Sequence, residues 1–309
     1  MHFQSCLSVM PRHTDSIHLR LEDASCMLTV IMTSAHQCWK LTNEQKIYAK
    51  THLNETNETR KNAVAEIKHW IQENNDLRKR IDDFNILQYL RICKFNIEET
   101  KIRIQNYYKL RSNIPEWYTN KDPFRPELQI LLNLGIFFFL RKPDNEGRMV
   151  FFARPSLFEP KISKLSDVIK IGIMMWDLGL RDYVEASLYG YNVYIDLSGL
   201  NLHHITAFRP RTMINVAHLW QKYPGNFKSI NYINMPGFAD ATLSLFKTFM
   251  NEDLKKKIHS SRTTEGSFND IPANILPNEY GGTGGPVQEL TDYYKKTIEE
   301  NRDWFINDE

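Results

Sequence analysis

Three runs of sequence decide the fold: YNVYIDL at Tyr191–Leu197, PRTMINVAHLWQ at Pro210–Gln221 and SINYINM at Ser229–Met235. The first and last runs are short and rich in β-branched and aromatic residues, which is typical of strands. The run between them reads as a helix. Because strands joined by a helical crossover pair in parallel, these residues predict part of an α/β sheet.

A second pair of strands is predicted upstream of this unit. The runs IFFFL at Ile136–Leu140 and MVFFA at Met149–Ala153 are short, apolar and aromatic, and residues Asp144–Gly147 between them have turn chemistry. Together these segments predict a β-hairpin. With a helix over Asp167–Leu180, they complete an α/β sheet domain that we expect over residues 125–282.

The chain on either side of the sheet domain reads as helix. Asp82 and Asn96 are plausible N-caps of two consecutive helices. We therefore expect an all-helical N-terminal subdomain over residues 42–120. Residues 1–41 lack clear periodicity and are predicted to be a flexible extension. Residues 283–309 are predicted to form a charged tail helix with few apolar anchors.

The composition excludes several classes of function. The chain has 309 residues, 42% of them hydrophobic and 25% charged, as in ordinary globular proteins. A formal net charge of +2 is too small to favour nucleic acid as a partner. The longest apolar run ends at Leu140 and is too short to span a bilayer, and the N-terminus does not resemble a secretory signal. The four cysteines lack metal-ligand spacing and are expected to be free thiols in a reducing compartment.

The polar motifs do not predict a catalytic or metal site. His203 and His204 have no acidic or cysteine partner at ligand spacing. The glycine-rich run Gly281–Gly285 lacks the lysine and hydroxyl residue of a phosphate loop. Because the chain has no Gly-x-Ser-x-Gly nucleophile elbow, Asp196 at the end of a strand is interpreted as a loop-pinning residue. The chain is therefore predicted not to be an enzyme and to need no cofactor or metal.

Three segments carry a resemblance to a known family. They are Asp82–Arg111 in the helical region, Asp196–Leu200 continuing to Ile233–Pro236, and ILPNEYGG at Ile275–Gly282. In order and spacing they resemble the CRAL-TRIO (Sec14-like) lipid-binding family, and most of all its α-tocopherol transfer protein and retinaldehyde-binding protein branch. The resemblance covers about residues 45–305.

The resemblance implies a hydrophobic pocket that is floored by the sheet and covered by a mobile gate helix at Phe238–Lys257. Within that segment Leu243, Phe246, Met250 and Leu254 recur at helical spacing. Candidate pocket residues come from the strands and from the covering helices. They are Phe138, Phe151, Ile173, Met174, Tyr191, Val193, Ile195, Ile233, Phe238, Leu245 and Phe249. Because residues alternate faces along a strand, some of these side chains must point away from the pocket.

The resemblance also implies a site for phosphoinositide headgroups near the gate. Lys228 and Lys257 match basic positions of that site, and Lys255 lies beside them in sequence. Other basic residues of the branch are replaced in this chain. The replaced positions are Cys93, Asn226 and Asp253.

These features together favour a carrier of a small hydrophobic molecule, tocopherol-like or retinoid-like, that exchanges its ligand at membranes. Two alternatives stay open. One is exchange of phosphatidylinositol or another phospholipid, which needs a polar headgroup subsite inside the cavity. The other is a non-lipid-binding adaptor, whose cavity would be filled by side chains. We expect a cytoplasmic monomer that binds transiently and peripherally to phosphoinositide-containing membranes and has no nucleic-acid partner.

Overall fold

A five-stranded sheet forms the centre of the structure, a computed structural model that describes residues 41–74, 77 and 81–308. The strands are β1 Phe137–Phe139, β2 Met149–Ala153, β3 Tyr191–Asp196, β4 Phe227–Ile233 and β5 Ile258–Ser260. They lie in the order β1-β2-β3-β4-β5; β1 pairs antiparallel with β2, and the other pairs are parallel. The predicted hairpin and the predicted parallel pairing are confirmed, and β5 is a strand that the sequence analysis does not predict.

Helices build the N-terminal region and flank the sheet. Those before β1 are α1 Asn43–Leu53, α2 Asn57–Glu73, α3 Asp83–Ile92, α4 Ile97–Asn113 and α5 Pro126–Asn133. Those between β2 and β5 are α6 Leu165–Asp182, α7 Val184–Tyr189, α8 Leu202–Ala207, α9 Pro210–Lys222, α10 Asp240–Thr248 and α11 Glu252–Lys255. After the sheet come α12 Val287–Glu300 and α13 Arg302–Asn307. Single 3-10 turns lie at Pro115–Trp117, Pro155–Leu157, Gly237–Ala239 and Asn278–Tyr280.

This arrangement confirms the predicted α/β fold class, with a helical N-terminal region followed by a mixed sheet. Residues 42–308 lie in one compact unit. The prediction of a flexible extension falls on residues 1–41, of which all but Leu41 lie outside the described residues. The boundaries expected at residues 120, 125 and 282 stay predictions.

Side-chain caps set the starts of the N-terminal helices. Thr42 begins α1 and Thr56 begins α2, each in a reciprocal capping box with the residue three positions later. Asp82 accepts a hydrogen bond of 2.7 Å from a backbone N–H in the first turn of α3, and Asn96 does the same at 3.1 Å for α4. Both residues therefore act as the N-caps that the sequence predicts.

A buried ion pair ties the N-terminal helices to the sheet region. The guanidinium of Arg91 on α3 donates hydrogen bonds of 2.8 and 2.9 Å to the carboxylate of Glu55, which lies between α1 and α2. It donates a third hydrogen bond to the hydroxyl of Ser187 on α7. Both charged side chains are almost fully buried, so loss of either one would leave an uncompensated charge in the core.

The segment Phe238–Lys257, predicted as one gate helix, is divided in two. α10 ends at Thr248, and α11 starts after Asn251, whose side chain accepts a hydrogen bond of 2.9 Å from the backbone N–H of Leu254. An asparagine in this position begins a new helix even where the apolar spacing continues. The apolar stripe therefore predicts which side chains are buried, but not a continuous helix.

The C-terminal tail is anchored more firmly than predicted. α12 and α13 meet at Asn301, so the tail consists of two helices instead of one. Leu290, Tyr294, Ile298 and Phe305 are all buried against the rest of the chain. The prediction of few apolar anchors is wrong, because one face of the charged tail carries an apolar residue at each turn.

Candidate functional site

An apolar cavity of about 260 Å³ lies between one face of the sheet and the helices α6, α8, α9 and α10. All of the described side chains that line the cavity are uncharged, and most are aliphatic or aromatic. Ligand pockets for apolar molecules commonly have this character, with a few polar groups that fix orientation.

The floor of the cavity is one face of the sheet. It consists of Phe137 from β1, Phe151 and Ala153 from β2, Val193 and Ile195 from β3, and Phe227, Ile230 and Tyr232 from β4. Strict alternation would not place Phe227 and Ile230 on one face, since they are three residues apart. The register between β3 and β4 shifts after Tyr191, so that Lys228 is the extra residue of a β-bulge, and Phe227 before the bulge faces the cavity together with Ile230 after it.

α6 forms the wall beside β2. Its cavity-lining residues recur every three or four positions. They are Leu165, Val168, Ile169, Gly172, Ile173 and Trp176. The helix lies close to the sheet at Gly172 and Gly179: a Cβ atom at Gly179 would stand 2.4 Å from the ring of Phe139. Glycine at this position is therefore required for the close approach of α6 to β1.

α10 and the turn before it cover the cavity. Ala239, Thr242, Leu243 and Phe246 line it from this side. The ring of Phe246 packs against Phe208 and Trp220, each with ring centroids 5.6 Å away. The cover is thus held by apolar contacts with Phe208 and α9, and Asp240 at its first position also forms a salt bridge with Arg262.

The structure brings four of the predicted pocket residues to the cavity: Phe151, Ile173, Val193 and Ile195. Two others lie on the opposite face of the sheet. Phe138 stacks on Phe152 there, with ring centroids 5.2 Å apart, and Ile233 follows Tyr232 in the alternation of β4. Both faces of the sheet are apolar, so composition alone does not distinguish the face that borders the cavity.

The remaining strand and helix candidates are buried beside the cavity. Tyr191 shares a face with Val193, but its ring packs against Trp176 at 4.8 Å and its hydroxyl donates a hydrogen bond of 3.4 Å to the backbone oxygen of Gly179. Met174 is fully buried on α6 but is not part of the cavity wall. These two side chains support the wall from outside.

The three predicted gate residues point away from the cavity. Phe238 is 46% exposed and Leu245 is 43% exposed, and Phe249 is half-buried after the end of α10. The inward side of the same helix is formed by Leu243 and Phe246, which are buried. The covering segment therefore has one apolar surface toward the cavity and a second one toward solvent.

Two tryptophans belong to the wall but are not among the predicted pocket residues. Trp176 and Trp220 line the cavity from α6 and α9. The signal for Trp176 is present in the sequence, since it continues the helical spacing from Leu165 through Ile169 and Ile173. Trp220 has a comparable signal, since Met213, Val216, Ala217 and Trp220 recur at helical spacing along α9.

Two polar groups of the wall already have partners. The ring of His204 contacts the backbone oxygen of Phe158 through Nε2 at 3.0 Å, and its Nδ1 accepts a hydrogen bond of 3.1 Å from the backbone N–H of Asn201. The hydroxyl of Tyr223 donates a hydrogen bond of 2.6 Å to Oδ1 of Asp177, behind the wall. Burial raises the pKa of Asp177 to about 6, and the nearby ammonium of Lys121 opposes this shift.

Asp196 joins the carboxyl end of β3 to two other segments. Its Oδ1 accepts hydrogen bonds from the backbone and hydroxyl of Ser198 and from the side chain of Asn234, and its Oδ2 accepts one of 3.0 Å from the hydroxyl of Tyr280. Burial alone would raise the pKa of Asp196, but these hydrogen bonds outweigh it and lower the pKa below its ordinary value. The geometry agrees with the interpretation of Asp196 as a loop-pinning residue.

A cluster of cations lies at the amino end of β4. Burial lowers the pKa of Lys228, and the nearby charges of Lys257, Lys94 and Arg148 lower it further. Lys257 likewise has a pKa lowered by burial and by the charge of Arg103. Because like charges cost free energy when they are held together, such a cluster is suited to bind an anion.

The cluster differs in membership from the predicted phosphoinositide residues. Lys228 and Lys257 lie in it, whereas Lys255 forms a salt bridge of 2.8 Å with Glu252 on the same helix. Lys94 adds a cation next to Cys93, the position where the resembling branch has arginine. Lys94 follows α3 in a left-handed conformation (φ 49°), and sequence spacing gives no indication that this loop meets β4.

The described residues contain neither a group of three or more His, Cys, Asp or Glu arranged to hold a metal ion nor a helix long and apolar enough to cross a membrane. Cys93 is a buried free thiol, and the other three cysteines fall outside the described part of the chain.

Two sequence families match this chain. The model of the family described as CRAL/TRIO domain matches residues 133–282, which include the whole sheet and the cavity. The model described as Pinta-like, UBA domain matches residues 56–128 of the helical region.

Individual proteins also resemble the chain over most of its length. Alpha-tocopherol transfer protein-like from Mus musculus is 26% identical over 251 residues, which are 80% of this chain and 72% of that protein. Clavesin-1 from Xenopus laevis is 23% identical over 76% of this chain and 71% of its own length. A crystal structure of Sfh5 has a TM-score of 0.51 and 15% sequence identity, covers 81% of this chain and 99% of its own, and so agrees in fold.

Proposed function

Because this chain belongs to the CRAL-TRIO family of lipid-binding and lipid-transfer proteins, we propose that it binds a small hydrophobic molecule, tocopherol-like or retinoid-like, in its apolar cavity and transfers it at membranes. The observation that carries this proposal is the cavity of about 260 Å³ with an uncharged wall. Transfer of apolar surface from water into such a space gains about 25 cal/mol per Å². The proposed role is that of a carrier and not of an enzyme.

The exposed side of the covering segment supports exchange at a membrane. Phe238 and Leu245 are large apolar side chains that lie nearly half exposed on the segment whose other side closes the cavity. In this proposal both insert into the bilayer surface, with Phe249 beside them. The covering segment then moves, and the ligand passes between the cavity and the lipid without crossing water.

The basic cluster supports recognition of phosphoinositide headgroups. Lys228, Lys257 and Lys94 lie close enough for the charges of the other two to lower the pKa of Lys228, and Lys255 is two positions before Lys257 in sequence. Each such lysine near an anionic membrane contributes about 1 kcal/mol. The protein would act as a cytoplasmic monomer that attaches peripherally and transiently to such membranes.

The cavity wall favours this proposal over the two alternatives. Phosphatidylinositol exchange needs a subsite for a charged headgroup, and none of the described side chains that line the cavity carries a charge. An adaptor that has lost its ligand would be expected to fill the space with side chains, whereas about 260 Å³ remains open. A neutral apolar ligand fits both observations.

The proposal is tested by purifying the full chain without detergent and identifying by mass spectrometry any lipid that co-purifies with it. A stoichiometric neutral lipid would support the proposal and name the ligand class. The matched control is Val193→Trp, which places a large ring on the cavity floor and should empty the protein. A wild-type protein that carries no lipid and takes none up from liposomes would favour the adaptor.

A further inference from the structure

The hydroxyl of Tyr232 stands out among the polar groups of the cavity. Tyr232 lines the floor from β4, opposite Ile195 of β3, and only 9% of the residue is exposed. Among the residues that the structure describes, none forms a hydrogen bond with this hydroxyl. Its oxygen is not enclosed by packed protein atoms, so it borders the open space of the cavity.

The other groups with spare hydrogen-bonding capacity are less buried. Thr242 on the cover and the indoles of Trp176 and Trp220 are only half-buried. His204 and Tyr223 are already bonded to protein atoms. A buried hydroxyl without a partner destabilises the protein, so such a group is expected to have one in the loaded protein.

The surroundings of the hydroxyl restrict what that partner can be. Burial raises the pKa of Tyr232 above its ordinary value, which keeps the hydroxyl protonated and able to donate. A carboxylate or phosphate would lie in a space where no described lining residue supplies a compensating cation. An uncharged oxygen, as in an alcohol, ether or carbonyl, can accept the hydrogen bond without that cost.

We infer that Tyr232 is the residue that selects the ligand's polar group: it hydrogen-bonds a single uncharged oxygen on an otherwise apolar molecule. The inference rests on the proposed carrier function and deepens it by naming the ligand class. Tyr232 acts here as a specificity-determining residue. The other side chains of the floor are apolar, so they offer no hydrogen bond that could orient the ligand.

The experiment offers the full chain a liposome-borne mixture of dodecane, 1-dodecanol and dodecanoate. The protein is separated from the liposomes, and the bound compounds are extracted and quantified. Wild type, Tyr232→Phe and Tyr194→Phe are compared. Tyr194 is the matched control because it lies on the neighbouring strand, on the other face, with its hydroxyl bonded to the backbone oxygen of Ser267. Comparing variants cancels the different partitioning of the compounds into lipid.

We expect the bound ratio of 1-dodecanol to dodecane to fall roughly threefold to tenfold in Tyr232→Phe, the range of one net hydrogen bond. Dodecane uptake and the Tyr194→Phe ratio should stay at the wild-type value, and dodecanoate should bind least. An unchanged ratio in Tyr232→Phe would overturn the inference and leave the carrier proposal intact. Failure of wild type to take up any of the three would overturn the carrier proposal, and the inference with it.

A second measurement does not depend on a variant. The carbonyl stretch of dodecanal bound to the unmodified protein should lie at lower frequency than in hexane, because the hydrogen bond weakens the C=O bond. A band at the hexane position would contradict the role assigned to Tyr232.

Discussion

The hydroxyl of Tyr280 donates a hydrogen bond of 3.0 Å to Oδ2 of Asp196, across 84 residues of sequence. Tyr280 lies in the ILPNEYGG segment after the sheet, and Asp196 lies at the carboxyl end of β3 beside the cavity floor. The contact gives the segment a physical role: it fixes the end of the strand whose residues Val193 and Ile195 form the floor.

Tyr280→Phe should therefore destabilise the protein. Removal of the hydroxyl leaves a buried carboxylate with one hydrogen bond fewer, and hydrogen bonds to charged groups contribute about 1.5–3 kcal/mol. We expect the free energy of unfolding in urea to fall by that amount at pH 7. Tyr293→Phe is the matched control, since Tyr293 is 44% exposed and should change stability little. Equal stability of the two variants would contradict the role of the contact.

Asp177 predicts a specific pH dependence of stability. Its pKa is raised by burial from 3.8 to about 6 in the folded protein, so its contribution is fully present below about pH 4 and is lost as the pH rises through 6. The difference in unfolding free energy between wild type and Asp177→Asn should therefore be more favourable to wild type at pH 4 than at pH 7. A difference that is constant over this range would contradict the prediction.

Leu245→Asp should weaken binding to vesicles. A carboxylate placed at the exposed apolar side of α10 opposes insertion into lipid, and we expect the apparent affinity to fall at least tenfold in a vesicle sedimentation assay. Ser244→Asp is the control, because it adds the same charge at the adjacent exposed position. Phe249→Asp should act in the same direction as Leu245→Asp. Equal loss in the Ser244 and Leu245 variants would indicate a simple charge effect.

Removal of a charge from the basic cluster should reduce binding to vesicles that contain phosphatidylinositol bisphosphate. Each lysine contributes about 1 kcal/mol near an anionic surface, so Lys94→Ala, Lys228→Ala and Lys257→Ala should each lower the affinity about fivefold. Lys255→Ala should have a smaller effect, because Lys255 already pairs with Glu252. A larger effect of Lys255 than of Lys94 would move the site toward α11.

Phe305→Ala should be strongly destabilising, although Phe305 lies on the last helix, α13. Phe305 is fully buried, and truncation of such a ring costs about 3–5 kcal/mol. Trp304→Ala, at a neighbouring residue that is 39% exposed, should cost less. Thermal unfolding of the two variants measures the difference, and similar melting temperatures would show that the tail is a dispensable appendage.

The sequence alone predicts the architecture of the sheet domain. It does not predict which face of the sheet borders the cavity. The strand at Tyr191 and the crossover helix at Pro210 follow from local composition, and the structure confirms their parallel pairing. Composition predicts Phe138 and Ile233 in the pocket because both faces of this sheet are apolar. Only the packing of helices decides which face borders the cavity. The bulge at Lys228 changes which side chains of β4 face the cavity, and no local residue pattern predicts it.

The basic cluster shows the same limit at longer range. Lys228 and Lys257 were predicted from the resemblance, but Lys94 reaches them from the loop after α3, more than a hundred residues earlier in the chain. Contacts of this kind depend on the tertiary arrangement of the helical region. The division of the gate at Asn251, in contrast, was open to prediction, because asparagine before an acidic pair is an N-cap pattern.

The two tryptophans that face the cavity make the intrinsic fluorescence of this protein sensitive to whether the cavity is occupied. Trp176 and Trp220 line the same small volume from α6 and α9. A conjugated guest in that volume would accept their excitation energy, and an aliphatic guest would only shift their emission colour. Loading and unloading can therefore be followed in real time on the unlabelled protein, with the identity of the emitting residue checked by replacing one indole at a time.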